Sequence, residues 1–197
     1  MKTLILMIAA MGALAYAGPG KGYQVGDKVR DFELENVDGK LVKLADYGDK
    51  KALVVIFTCN HCPYSKAYEN RIIQLQKEYG EVAPVLAINP NAPTVEDDSY
   101  EQMKTRAREK GFTFPYLLDA DQAVAQRFGA ERTPHTYLLK RVGKEWVVAY
   151  TGAIDDNAGD EEGVQKSYLA DAIEAVAAGK APEQPNTKAI GCTIKWQ

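Results

Sequence analysis

Residues 52–57, Ala-Leu-Val-Val-Ile-Phe, form an unbroken apolar run rich in β-branched side chains. A strand of that composition has no polar face to turn to water, so it belongs inside a sheet covered on both sides. The run ends at Thr58-Cys59, and the pattern then changes. Tyr64, Ala67, Tyr68, Ile72, Leu75 and Tyr79 recur at helical spacing, which predicts a helix over His61 to Tyr79. Pro63 falls in its first turn, where a missing N–H costs nothing, and Gly80 follows its end. A buried strand leading through Cys59-Asn60-His61-Cys62 into an amphipathic helix fixes the centre of the fold.

The other segments add to that unit. Val25 to Leu44 reads as short strands with a turn at Asp38-Gly39, and Val82 to Ile88 as a second buried strand. Thr94 to Lys110 reads as a charged helix, Tyr116 to Leu118 as a short strand and Ala120 to Phe128 as a short helix. Thr136 to Lys140 and Trp146 to Tyr150 read as a hairpin around Val142-Gly143-Lys144, and Tyr168 to Ala178 as a closing helix. Alternating strands and helices predict an α/β fold, and the late hairpin requires a mixed central β-sheet.

The N-terminus stands apart from the rest. Lys2 gives a positive start, Leu4 to Leu14 is almost wholly apolar, and Ala15-Tyr16-Ala17 places small residues where a signal peptidase reads them. The expectation is a signal peptide over residues 1–17 and export to the periplasm or outside the cell. The apolar run is short for a membrane span, which takes roughly 20 residues. Residues 18–22 read as a flexible start, 23–178 as the folded domain and 179–197 as a C-terminal tail. A net charge of −3 with no basic run argues against nucleic-acid binding.

Export changes the meaning of the three cysteines, Cys59, Cys62 and Cys192. Outside the cytoplasm a close pair serves as a structural disulfide or as a redox centre. A helix N-terminus offers free N–H groups and the positive end of the dipole, which stabilise a thiolate, the attacking species in disulfide exchange. On this reading Cys59 sits at the helix mouth as the nucleophile, and Cys62 resolves the mixed disulfide from one turn away. His61 supplies charge or a hydrogen bond to Cys59 and lowers its pKa. The other readings are an inert disulfide and half of a zinc site, which usually wants four ligands.

With these residues in hand, the chain resembles the thioredoxin-like redoxins, and within them the peroxiredoxin-like branch of the alkyl hydroperoxide reductase/thiol-specific antioxidant (AhpC/TSA) group. The matching pieces are Val54 to Pro63, Asp119-Ala120-Asp121 through Phe128-Gly129-Ala130, and Glu131-Arg132-Thr133-Pro134-His135. The resemblance spans roughly residues 23–178. It implies a thioredoxin-like α/β fold with helices on both faces of the sheet, and Cys59 and Cys62 as the redox pair. In that fold a cis proline after a residue such as Thr133 faces the CxxC helix, so Thr133 and Pro134 are the expected binding edge for a partner strand. A trans loop proline is the alternative for Pro134. Thr58 replaces the tryptophan of thioredoxin itself. The peroxiredoxin pattern Pro-x-x-x-Thr-x-x-Cys fits neither cysteine: alignment on Cys62 puts Val55 at Pro, and alignment on Cys59 puts Ala52 there.

Three residues are accessory candidates. Arg132 is read as a peroxiredoxin-like arginine or a loop charge, and His135 as a neighbour of Cys59 or a strand residue facing solvent. Cys192 is read as a third thiol near the site or, preferred, as an incidental thiol in a tail anchored by Ile190, Ile194 and Trp196. Glu69 reads as a solvated helix charge, and Asp155 to Gly163 as a solvated, mobile insert. The expected function is exported thiol–disulfide oxidoreductase, with protein thiols or another redox protein as partner. No bound cofactor and no resident metal are expected. The alternatives are a thiol peroxidase acting on hydroperoxides and a copper- or zinc-handling protein.

Overall fold

The computed structural model describes residues 22–197. The expected signal peptide and residues 18–21 lie outside the described residues. Among the described residues ten strands and four helices follow one another, with two short 3-10 turns. The N-terminal strands are β1 (Lys28–Val29), β2 (Glu33–Asn36) and β3 (Leu41–Lys43). They precede β4 (Ala52–Phe57), α1 (Pro63–Tyr79) and β5 (Val85–Asn89). Next come α2 (Tyr100–Lys110), β6 (Tyr116–Leu118), α3 (Ala123–Phe128) and β7 (Arg132–Thr133). The hairpin β8 (His135–Val142) and β9 (Glu145–Gly152), α4 (Tyr168–Ala177) and β10 (Cys192–Thr193) complete the chain.

Eight strands form one sheet in the order β1-β9-β8-β4-β5-β6-β2-β3. β4, β5 and β6 run parallel and the other pairings are antiparallel, so the sheet is mixed. β4 lies between β5 and β8, and every residue of it is buried. Its side chains alternate, as a strand requires. Leu53, Val55 and Phe57 enter a cluster with Tyr23, Phe32, Phe128, Tyr137 and Ile194, whereas Val54 and Ile56 face Tyr68, Ile72, Tyr150, Leu169 and Ile173. Helices α1, α2 and α4 therefore pack on one face and α3 on the other. Burying one such side chain contributes about 1.5–3 kcal/mol.

Three local expectations are corrected. Helix α1 begins at Pro63 rather than His61. Pro disfavours the helical conformation in the residue before it, and Cys62 is extended, with φ −70° and ψ 125°. Glu69 is buried, not solvated: Arg106 donates to both its carboxylate oxygens, at 2.6 and 2.8 Å, and Lys110 Nζ lies 3.3 Å away. Asp155 is buried as well, accepting from Tyr68 Oη at 2.7 Å and Arg71 Nη1 at 2.6 Å. The start of the acidic segment is thus fastened to α1.

The tail is ordered along the sheet. Thr187 N donates to Thr151 O, Tyr150 Oη lies 2.6 Å from Thr187 Oγ1, and β10 then pairs with β7 as a separate two-stranded ribbon. No helix among the described residues is long and apolar enough to cross a membrane.

Candidate active site

The loop between β4 and α1 carries Cys59 and Cys62, and the turn between β7 and β8 carries Thr133 and Pro134. Pairing of β4 with β8, with Phe57 opposite His135, brings the two loops together. Thr133 meets both sulfurs. Its Oγ1 lies 3.1 Å from Cys59 Sγ, and its carbonyl accepts a hydrogen bond from Cys62 Sγ at 3.2 Å. Ser65 Oγ is 3.7 Å from Cys59 Sγ. The Thr133–Pro134 bond is cis. All three cysteines are free thiols; Cys59 and Cys62 are 3% and 0% exposed, whereas Cys192 is half-buried.

The later start of α1 changes which sulfur the helix serves. Cys62 is the N-cap, and Cys59 lies three residues before it in the loop. The carbonyl of Thr133 favours the Cys62 thiol, since it can only accept a proton. Against it stand the Cys59 thiol, the Cys192 thiol and the amides of Ser65 and Cys192, all donors to a Cys62 thiolate. The donors prevail, and Cys62 is pulled down to about 4, chiefly by the Cys59 thiol. Sharing that proton pushes the Cys59 thiol up; burial and the Asp98 carboxylate push the same way. The two sulfurs therefore share one proton, so that ionisation of one cysteine opposes ionisation of the other. Cys59, expected at the helix mouth, thus lies in the loop before the helix, and Cys62 is the cysteine at its N-cap.

Asp98 is the residue that reading the sequence missed. It is 0% exposed and accepts from the backbone N–H groups of Asn60 and His61 and from Asn89 Nδ2. The His61 ring pairs with it through Nδ1. Asn60 in turn donates from Nδ2 to Asp97 O at 2.9 Å and accepts from Tyr116 Oη at 2.9 Å. The two residues between the cysteines are thereby fixed from a segment 37–38 positions away. No local pattern marks Asp98, which lies in the stretch Thr94 to Lys110 that reads as a charged helix. His61, expected to act on the Cys59 thiolate, points to this carboxylate. Ligand atoms of Cys59, His61 and Asp98 lie within 4.8 Å of one another, a set among the described residues that could hold a metal ion.

The accessory candidates separate. Arg132 Nη1 donates to Gly191 O at 2.9 Å, so it fastens the tail. His135 Nε2 lies 3.2 Å from Thr151 Oγ1, its ring packs on Tyr137, and burial lowers its pKa to about 4. Cys192 joins the pair: it is the cross-strand partner of Thr133. The edge of Thr133 expected to receive a partner strand is thus occupied by the chain's own β10.

A mixed sheet of this order, with the strand–CxxC–helix unit facing a cis-proline loop, defines a thioredoxin-like redoxin. A model of the AhpC/TSA family matches residues 25–150, and the chain belongs to that family. It is similar to the thiol-disulfide oxidoreductase ResA of Geobacillus thermodenitrificans, with 27% identity over 72% of this chain and 79% of that protein. Among solved structures it is similar to the hypothetical protein SMc02350 of Sinorhizobium meliloti, with TM-score 0.81, 33% identity and coverage of 90% of this chain and 97% of that one. An uncharacterized conserved protein of Geobacillus kaustophilus also gives TM-score 0.81, at 34% identity over 89% and 93% of the two chains. The chain is an oxidoreductase.

Proposed function

We propose that this oxidoreductase exchanges disulfides with protein thiols outside the cytoplasm, through Cys59 and Cys62. The observation that carries the reading is the clamping of both sulfurs by Thr133, at 3.1 and 3.2 Å, beside a helix N-terminus. The sequence of residues 1–17 supports export, and exported thiol pairs work in an oxidising setting.

In the reaction the ionised sulfur of the pair attacks a partner disulfide. A mixed disulfide forms and one partner thiolate leaves. The second sulfur then attacks the first, the partner's other thiolate departs, and Cys59–Cys62 closes as a disulfide. Run backwards, the same steps oxidise a partner dithiol. The N-cap position and the lowered pKa of Cys62 support Cys62 as first attacker and Cys59 as resolving sulfur; the order read from the sequence is the opposite one. No bound cofactor takes part.

The test is trapping in a Cys192→Ser background, with one further cysteine replaced by serine. Cys59→Ser is expected to hold partner proteins as stable mixed disulfides on Cys62. Adducts confined to Cys62→Ser would restore Cys59 as attacker while keeping the pair. Failure of both to form adducts, with exchange unimpaired in each, would overturn the assignment of exchange to Cys59 and Cys62; loss of all adducts and absence of exchange in the parent would overturn the function. Oxidation by hydroperoxides alone, with no reaction toward protein disulfides, would place the chain among thiol peroxidases.

A further inference from the structure

The Cys59–Cys62 pair is buried, and a third thiol is placed beside it. Pairing of β10 with β7 sets Cys192 directly across from Thr133. Thr133 is also the residue whose carbonyl receives the Cys62 Sγ hydrogen bond at 3.2 Å. Opposed residues of an antiparallel ladder have Cα atoms about 4.5–5.5 Å apart, so Cys192 is held against the CxxC loop. A Cys192 thiol in that position helps to lower the pKa of Cys62. Burial and the neighbouring Cys62 sulfur raise the Cys192 thiol to about 11.

The placement of Cys192 is enforced from both sides. A Cβ on Gly191 would sit 2.2 Å from Thr133 O, so only glycine permits this approach. Arg132 holds Gly191 O, and Ile194 N donates to Glu131 O at 3.0 Å. Beyond the ribbon, Lys195 N donates to Asn91 Oδ1, while Lys195 O accepts from Thr94 Oγ1 and Gln122 Nε2, each at 2.8 Å. Ile194 is 4% exposed and belongs to the core cluster of Phe57 and Phe128. An incidental thiol in a loosely anchored tail needs none of this.

We infer that Cys192 is a third exchanging thiol, which takes the disulfide from the buried pair and presents it at the surface. The inference rests on the Cys59–Cys62 exchange proposed above. In the step, the Cys192 thiolate attacks Cys62 Sγ of the Cys59–Cys62 disulfide. The bond between Cys59 and Cys62 breaks, a bond between Cys62 and Cys192 forms, and Cys59 leaves as a thiolate that takes up the proton Cys192 gave up. The step is an isomerisation with no net oxidation. Its product places one sulfur of the disulfide on a half-buried residue, where the thiol of another protein can attack it.

Disulfide mapping tests this. Mature wild-type protein, Cys59→Ser and Cys192→Ser are reduced, treated with diamide, acid-quenched, alkylated and mapped by non-reducing mass spectrometry. Cys59→Ser is expected to close Cys62–Cys192 within one chain, leaving no free thiol. Wild-type protein is expected to show both Cys59–Cys62 and Cys62–Cys192 linkages. Two free thiols or only intermolecular dimers in Cys59→Ser, with Cys59–Cys62 as the sole wild-type linkage, would overturn the inference. Cys192→Ser separates the two claims. Closure of Cys59–Cys62 in that variant leaves the exchange function standing whatever Cys192 does, and failure to close there sinks the function itself.

Discussion

At the scale of single residues, the chemistry is set by which groups donate to sulfur and which charges lie nearby. Asp98 illustrates both. Its carboxylate fixes the backbone between the cysteines and makes ionisation of Cys59 harder. Asp98→Asn removes the charge and sets amide hydrogens against donors. The expected result is a lower Cys59 pKa, read from the pH dependence of thiolate absorbance, and a stability loss of about 1–3 kcal/mol. An unchanged thiolate titration would show that the carboxylate does not act on the pair. His135 has the opposite charge logic. Its folded pKa of about 4 lies below the ordinary 6.5, so the unfolded chain binds the proton more readily. The native state therefore keeps its full stability above about pH 6.5 and loses stability as the pH falls toward 4, by about 3 kcal/mol from this residue. Denaturant titrations should show that slope shrinking in His135→Gln; an identical slope would assign the acid sensitivity elsewhere. The cysteines and the proline were legible because they sit in local patterns. Asp98 was not, because its partners Asn60 and His61 are distant in sequence.

At the scale of elements, two boundaries carry the mechanism. The helical spacing of α1 was plain in the sequence, but its first turn was misplaced by two residues. The restriction that Pro63 puts on Cys62 moved the N-cap onto the second cysteine. The tail is the other case. Ile190, Ile194 and Trp196 marked it as an apolar anchor, and Ile194 is the one that is buried; Ile190 and Trp196 are exposed. Nothing local in residues 189–197 shows that the strand they form pairs with Thr133, since strand pairing is decided by the partner. Ile194→Ala leaves a cavity in the cluster of Phe57 and Phe128 and should cost about 2–4 kcal/mol. Because Ile194 anchors β10 against Thr133, beside the buried pair, the same variant should alkylate faster at Cys62 under native conditions. Alkylation at the wild-type rate would mean that the tail does not control access.

At the scale of the whole molecule, a sheet buried on both faces carries a reactive loop at the end of its central strand. The chain returns at its C-terminus to cover that loop. The alternating pattern, the late hairpin and the resemblance made this architecture legible in advance. The closing of the site over its own sulfurs was not, because burial of Glu69 and Asp155, docking of the tail and shielding of the cysteines all depend on contacts between distant segments. The account stands or falls on reversible exchange at the CxxC loop. The direct measurement is a titration of Cys192→Ser in buffers of graded oxidised-to-reduced glutathione ratio, with the Cys59–Cys62 linkage counted by mass at each point. The expected result is one reversible two-electron transition between dithiol and intramolecular disulfide, the same from either direction. Two thiols that persist through excess oxidised glutathione, or a disulfide that excess reduced glutathione leaves intact, would contradict it.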